Sequence, residues 1–194
     1  YSIPEEPQLF TKIGKFSSTP TTKTATQTKP SPSVVEGRVW LIEQDDIDTD
    51  MIFHNRYLTI TDIAEMGQYA FDNLKGYEDF AKQVKKDDII MTGKNFGAGS
   101  SRQQAVDCFT ALGVSAILAE SYGAIYERNA INAAMPILTY SPDVIEKASI
   151  RHGDILRINF QTGELTNLTT QKSAQINPFY DAQWEIYQKG GLLG

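Results

Sequence analysis

The chain has 194 residues, 41% of them hydrophobic, and a formal net charge of −6. That is enough apolar material for one domain with an ordinary core, but no apolar run approaches the roughly 20 residues that span a membrane. The acidic balance disfavours non-specific binding to nucleic acid, and a lone cysteine (Cys108) with two widely separated histidines (His54, His152) excludes an internal disulfide and announces no metal or iron–sulfur site.

Residues 1–36 carry little to bury. Ser17-Ser18-Thr19-Pro20-Thr21-Thr22-Lys23-Thr24 and Lys29-Pro30-Ser31-Pro32-Ser33 have the composition of a flexible tail or linker, expected to tether the folded part, 37–194, to something else. From Gly37 onward strand and helix patterns alternate. Strands are predicted over Val39–Ile42, Asp88–Thr92, Ser115–Ala119, Pro136–Thr139, Asp154–Phe160 and Glu164–Leu168. Helices are predicted over Ile63–Leu74, Tyr77–Val84, Ser101–Leu112, Tyr122–Ala133, Pro142–Lys147 and Tyr180–Lys189. The alternation predicts an α/β fold dominated by parallel units. Gln161-Thr162-Gly163-Glu164 reads as a hairpin turn that adds an antiparallel element.

After the first strand, Asp46, Asp48 and Asp50 alternate as at the start of a calcium loop. The likeness ends there, because Met51 stands where the loop needs glycine and Tyr57 where it needs a bidentate Glu. Two readings remain open for this segment: a solvated acidic turn, or an Asp50 that points into the same cleft as Ser100.

The densest signal is Gly93-Lys94-Asn95-Phe96-Gly97-Ala98-Gly99-Ser100-Ser101-Arg102-Gln103-Gln104. Ser100 is the expected N-cap, with Gln103 closing a capping box, so the helix is expected to begin near Ser101. The unpaired N–H groups of its first turn and the positive end of the helix dipole favour a bound carboxylate or phosphate. A cation such as Arg102 is disfavoured in a first turn by some tenths of a kcal/mol, so its placement makes sense if an anion is clamped there by the forked guanidinium. The alternative is a plain cap without a ligand. Neither standard phosphate loop fits: Gly99 stands where the P-loop needs Lys, and Arg102 where the dinucleotide fingerprint needs its third Gly.

Further along, Arg128 and Asn132 lie one turn apart on a predicted helix, the pattern of a structural or interface face. Cys108 reads as a small buried hydrophobe.

Taken together, Asp48-Thr49-Asp50, Arg56-Tyr57-Leu58, the glycine-rich stretch through Arg102, Arg128-Asn129-Ala130-Ile131-Asn132 and the closing Lys189-Gly190-Gly191-Leu192 resemble the small subunits of 3-isopropylmalate dehydratases. More broadly they resemble the swivel domain of the aconitase superfamily, in order from about Gly37 to Gly191. The resemblance implies a three-layered β/β/α swivelling domain that closes over a large partner subunit or domain. That partner carries a [4Fe–4S] cluster, not ligated by this chain, whose open iron binds the hydroxyl and a carboxylate of a hydroxy-dicarboxylate substrate. It also implies a hydro-lyase of leucine biosynthesis, cytoplasmic or organellar, that acts by dehydration and rehydration. By resemblance Ser100 is the catalytic base, Ser101 and Arg102 hold a substrate carboxylate, Asp50 belongs to the same binding set, and Thr59, Ile60 and Thr61 face the variable group of the substrate. The absence of a cation at Thr59 and Ile60 suits isopropylmalate better than the additional carboxylate of homoaconitate or citrate.

Two departures from the family pattern stand out. Gln103-Gln104 replace a frequent Glu followed by His or Gln, and the tail before Gly37 is longer than usual, as it would be in a C-terminal piece of a fused, single-chain enzyme. The alternatives are another hydro-lyase of the superfamily, acting on citrate, homoaconitate or a methylated malate of the dimethylmalate type, and, from another class, a non-catalytic carboxylate-binding or assembly module in which Ser100 is only a cap.

Overall fold

The fold is organised around its first strand, β1 (Val34–Ile42). The second half of β1 pairs in parallel with β2 (Ile89–Thr92), from Val39 opposite Ile89 to Ile42 opposite Thr92. Its first half pairs antiparallel with a later strand, from Val34 opposite Asn159 to Arg38 opposite Ile155. The remaining strands of this computed structural model, which describes residues 31–192, are β3 (Ala116–Ala119), β4 (Ile137–Thr139), β5 (Ile155–Asn159), β6 (Glu164–Asn167) and β7 (Lys172–Gln175). Their order is β4-β3-β2-β1-β5-β6-β7, parallel on the β4 side of β1 and antiparallel on the β7 side. The helices are α1 (Thr49–Ile52), α2 (Ile63–Met66), α3 (Phe80–Gln83), α4 (Gln104–Leu112), α5 (Ala124–Asn132), α6 (Asp143–Lys147) and α7 (Asp181–Lys189), with 3₁₀ turns at Asn55–Tyr57 and Gly67–Tyr69.

Strand periodicity divides the core into two layers of side chains. Trp40, Ile42, Ile90, Ile117 and Ala119 face one way and pack with Ala105, Val106, Phe109, Tyr126 and Ala130 of α4 and α5. The alternate residues Val39, Ile89, Met91, Ala116 and Leu118 face the other way and meet Leu156, Ile158, Phe160 and Leu165 of the antiparallel half. Parallel sheet thus lies between helices and antiparallel sheet, which is the expected three-layered β/β/α arrangement. Among the described residues no helix is long and apolar enough to cross a membrane.

Several elements differ from the sequence expectation. The predicted helix Ile63–Leu74 stops at Met66, passes through a 3₁₀ turn and is broken at Phe71, whose φ is 61°. Burial explains the break: the Phe71 N–H donates to the Ile52 carbonyl at 2.9 Å, and its ring packs against Phe80 and Phe109 with centroids 4.9 and 5.2 Å away. Aromatic packing here overrides helical period. The helix expected over Tyr77–Val84 contracts to α3, because Glu78 turns back to accept the Gly76 N–H at 2.8 Å. β1 begins at Val34 rather than Val39, since β5 supplies a partner for its first half. β7 is absent from the sequence expectation because Lys172-Ser173-Ala174-Gln175 is polar; it is an edge strand whose pairing with β6 compensates weak propensity. The hairpin is present at 161–164, with Asn159 Oδ1 accepting from the Gln161 and Thr162 N–H groups and Gly163 at φ 78°. The expected tail falls, over residues 1–30, outside the described residues.

Candidate active site

The loops that follow β1, β2 and β3 meet at the carboxyl edge of the parallel sheet, the edge where open α/β sheets place ligands. Backbone bonds lock them together. The Asp46 N–H donates to the Lys94 carbonyl at 2.8 Å, Gly97 N–H to Ile47 at 2.7 Å, Thr49 N–H to Ala98 at 2.9 Å, and Gly123 N–H to Phe96 at 2.9 Å. The acidic segment does more than turn in solvent: Asp45 accepts from the Lys94 N–H and Asp46 from the Asn95 amide, both across to the loop after β2, and Asp48 caps α1 through the Met51 N–H. At Gly97 the backbone has φ 79° and lies so close to Tyr126 that a Cβ would run into its ring. This position, on both counts, admits only glycine.

Ser100 does not cap α4. The helix starts three residues later than expected, at Gln104, after a Gln103 that is αR and makes no side-chain cap bond; its amide donates to Asp107 Oδ1 at 3.1 Å instead. The reason is tertiary. Gly97 and Gly99 hold left-handed conformations (φ 79° and 106°), and Arg102 is drawn away from α4 towards α1. Its Nη1 donates to Asp50 Oδ1 at 2.9 Å and to the Phe53 carbonyl at 3.0 Å. One result is that, among the described residues, the backbone N–H groups from Ala98 to Gln104 have no acceptor. Exposed donors of this kind are open to solvent, and they are also free to bond an anion, which can satisfy several of them at once.

Arg102 is held with its side chain only 13% exposed. Nη1 is used twice, whereas Nε and Nη2 have no partner among the described residues, which leaves one edge of the fork for a carboxylate. Asp50 is the hub that sets this orientation: it accepts also from the Asn55 N–H at 2.9 Å, and the Asn73 amide donates to its backbone carbonyl at 3.1 Å. The Arg102 guanidinium, seconded by the Asn55 N–H and nearby His54, holds the Asp50 carboxyl below its usual range, against a smaller desolvation effect. A carboxyl depressed in the folded state stabilises above its unfolded pKa and ceases to do so as pH falls through the lowered folded value. Below about pH 4 the melting temperature of the wild type is therefore expected to fall more steeply than that of Asp50→Asn; parallel curves in thermal melts across pH 2–6 would remove Asp50 as the clamp.

Gly99, Ser100 and Ser101 are exposed. Asn129, on α5, donates from Nδ2 to Ser101 Oγ at 3.3 Å. Asn129 was legible only as part of a helical motif, since nothing in local spacing says that α5 faces this loop. Arg128, on the same helix, is exposed. Thr59 and Thr61 are exposed, while Ile60 is half-buried and packs against the inner core cluster. The turn that carries them is held by Tyr57, whose ring stacks on Tyr69 with centroids 3.9 Å apart and whose hydroxyl donates to Asp72. That bond, with burial, raises the Tyr57 pKa above the ordinary phenol value. Arg56 is exposed, with its guanidinium 5.2 Å from the Tyr57 ring centroid.

The residues present do not suit a metal cluster. Cys108 lies on the buried face of α4 and its thiol pKa is pushed far up by desolvation, and among the described residues no three His, Cys, Asp or Glu side chains are grouped for a metal ion.

The family described as the aconitase C-terminal domain matches residues 41–143. The 3-isopropylmalate dehydratase small subunit 1 of Archaeoglobus fulgidus is 41% identical over 157 residues, covering 81% of this chain and 93% of that protein. The methanogen homoaconitase small subunit of Methanothermobacter thermautotrophicus is 38% identical over 160 residues, 82% of this chain and 89% of that protein. Among solved structures, a 3-isopropylmalate dehydratase from Methanocaldococcus jannaschii superposes with a TM-score of 0.75 at 34% identity, covering 82% of this chain and 91% of that one.

Proposed function

The chain belongs to the aconitase C-terminal domain family, and from that premise we propose that it is the small, swivelling half of a hydro-lyase that interconverts 2- and 3-isopropylmalate. One observation carries the reading: the exposed loop Ala98–Gln104 combines unpaired amides, a free Ser100 and an Arg102 already oriented by Asp50. The free edge of Arg102, with Ser101, holds a substrate carboxylate. Ser100 removes a proton from the carbon beside that carboxylate and returns it on rehydration. A serine hydroxyl is far too weak a base unaided, so its alkoxide has to be stabilised, and the loop amides and Arg102 supply that field.

The other half of the chemistry, departure and return of the hydroxyl, falls to a larger partner. A [4Fe–4S] cluster of the aconitase type would be held there, because Cys108 is buried and alone. The exposure of Gly99 to Ser101 fits a site whose facing wall comes from that partner. Among related substrates, isopropylmalate is favoured over homoaconitate because the exposed side chains of the substrate-facing turn, Thr59 and Thr61, are uncharged and Arg56 is engaged with Tyr57.

The test is anaerobic reconstitution. This chain, combined with an iron–sulfur large subunit of the family whose cluster is intact, is expected to form the unsaturated diacid from 3-isopropylmalate, followed by ultraviolet absorbance, while neither component does so alone. Turnover of a tricarboxylate but not of isopropylmalate would move the assignment to homoaconitase, and no turnover of either would leave a carboxylate-binding module.

A further inference from the structure

α4 begins one residue after Gln103, and the side chain of its first residue, Gln104, reaches away from the catalytic loop: Nε2 donates to the carbonyl of Leu58 at 3.3 Å. Leu58 immediately precedes Thr59-Ile60-Thr61. We propose that Gln104 is a positioning residue for substrate selectivity, fixing the turn that faces the variable group of the substrate in register with Ser100; this rests on the reading given above.

The segment from Leu58 to Gly67 is a strap laid along α4 and pinned at both ends. At its far end Gly67 sits against Leu112 and Ala111, the last turn of α4, so closely that a Cβ would be 3.0 Å from Leu112. Asp62 caps α2 through the Ala64 N–H at 3.1 Å, which fixes where the strap re-enters regular structure. At its near end the backbone is curled, the Ile60 N–H donating to the Tyr57 carbonyl at 3.0 Å, and Ile60 is sunk into the core cluster while Thr59 and Thr61 remain exposed. Tyr57 itself is fixed sideways, on Tyr69 and Asp72, and those contacts do not involve α4. The Gln104 amide is therefore a direct link between the start of the helix that follows Ser100 and the start of the turn that carries Thr59 and Thr61. Losing it leaves Tyr57, α2 and the core in place and frees the turn to shift against the serine, which alters discrimination between substrates more than chemistry common to them.

Gln104→Met keeps the length and removes the donor; Gln104→His restores a donor. Two measurements read the inference. In the chain alone, amide hydrogen exchange of residues 58–61 is expected to accelerate in Gln104→Met and to return towards wild type in Gln104→His, with the strands unchanged. In the reconstituted complex, the ratio of kcat/KM for 3-isopropylmalate to that for a tricarboxylate whose variable group is a carboxyalkyl chain in place of isopropyl is expected to move about three- to tenfold in Gln104→Met, the range of one neutral hydrogen bond, and to recover in Gln104→His. Unchanged exchange overturns the tether, and faster exchange with an unchanged ratio overturns its role in selectivity. A wild-type complex inactive on both substrates fails the proposed function instead, and the exchange experiment still decides the tether.

Discussion

Ser100→Ala is expected to lower kcat of the reconstituted complex by about 10²–10⁴-fold, the range for loss of a positioned base, while leaving the melting temperature of the chain unchanged. The two halves of this result are linked by geometry. Had Ser100 capped α4, its removal would cost about 1 kcal/mol of stability, and loss of turnover would be mixed with loss of fold. It does not cap: the helix starts beyond Gln103, and Ser100 is exposed with no partner among the described residues. The substitution therefore removes one hydroxyl and little else. Steady-state kinetics together with a thermal melt check it. A variant that retains most of its turnover would show that Ser100 is not the base, and a destabilised one would show that the loop is held by contacts of Ser100 itself.

Arg102→Lys is expected to lower kcat/KM by about 10–100-fold, through KM and kcat together, and to cost about 1 kcal/mol of stability through the lost donor to the Phe53 carbonyl. Lysine keeps the charge and can reach Asp50, but it offers a single point donor where the guanidinium serves three directions at once: Asp50, the Phe53 carbonyl and the free edge assigned to substrate. A charge-assisted hydrogen bond contributes about 1.5–3 kcal/mol, which sets the size of the loss. Kinetics on both substrates of the proposed reaction suffice as a check. If kcat/KM is retained, Arg102 is a structural tie to α1 and the substrate carboxylate is held elsewhere. Comparing the variant with Asp50→Asn separates holding the carboxylate from aiming the fork, since Asp50 meets Arg102 at Nη1 and leaves its other edge free.

Much of this arrangement is legible in the chain. The α/β alternation is written in apolar runs such as Val39–Ile42 and Ser115–Ala119, and a glycine-rich stretch ending in Ser-Ser-Arg marks a candidate anion site on its own terms. What local rules miss is set by distant partners. Gln103 closes a capping box in sequence but not in space, because Arg102 answers to Asp50, 52 residues away. Phe71 sits in an apolar helical period yet adopts a left-handed backbone, because its ring completes an aromatic cluster with Phe80 and Phe109. Asp50 lies in a segment whose other carboxylates tie down the loop after β2 or cap α1, and nothing in the alternation of Asp46, Asp48 and Asp50 says which of them faces the arginine. β7 has a polar sequence that carries no strand signal and depends on β6 for its existence.

The position of β1 has a consequence for how the molecule is made. It is the first element of the described fold, yet one flank of it is completed by β5, whose residues Ile155–Asn159 emerge from the ribosome only after β2, β3, β4 and all the intervening helices. Until then Val34–Arg38 is an open strand edge, able to pair with any other extended chain. Pairings this distant along the chain also close slowly, because a long loop must lose its entropy first. During synthesis the first half of the central strand therefore has no native partner until β5 has been made, and that delay is when this edge most needs cover.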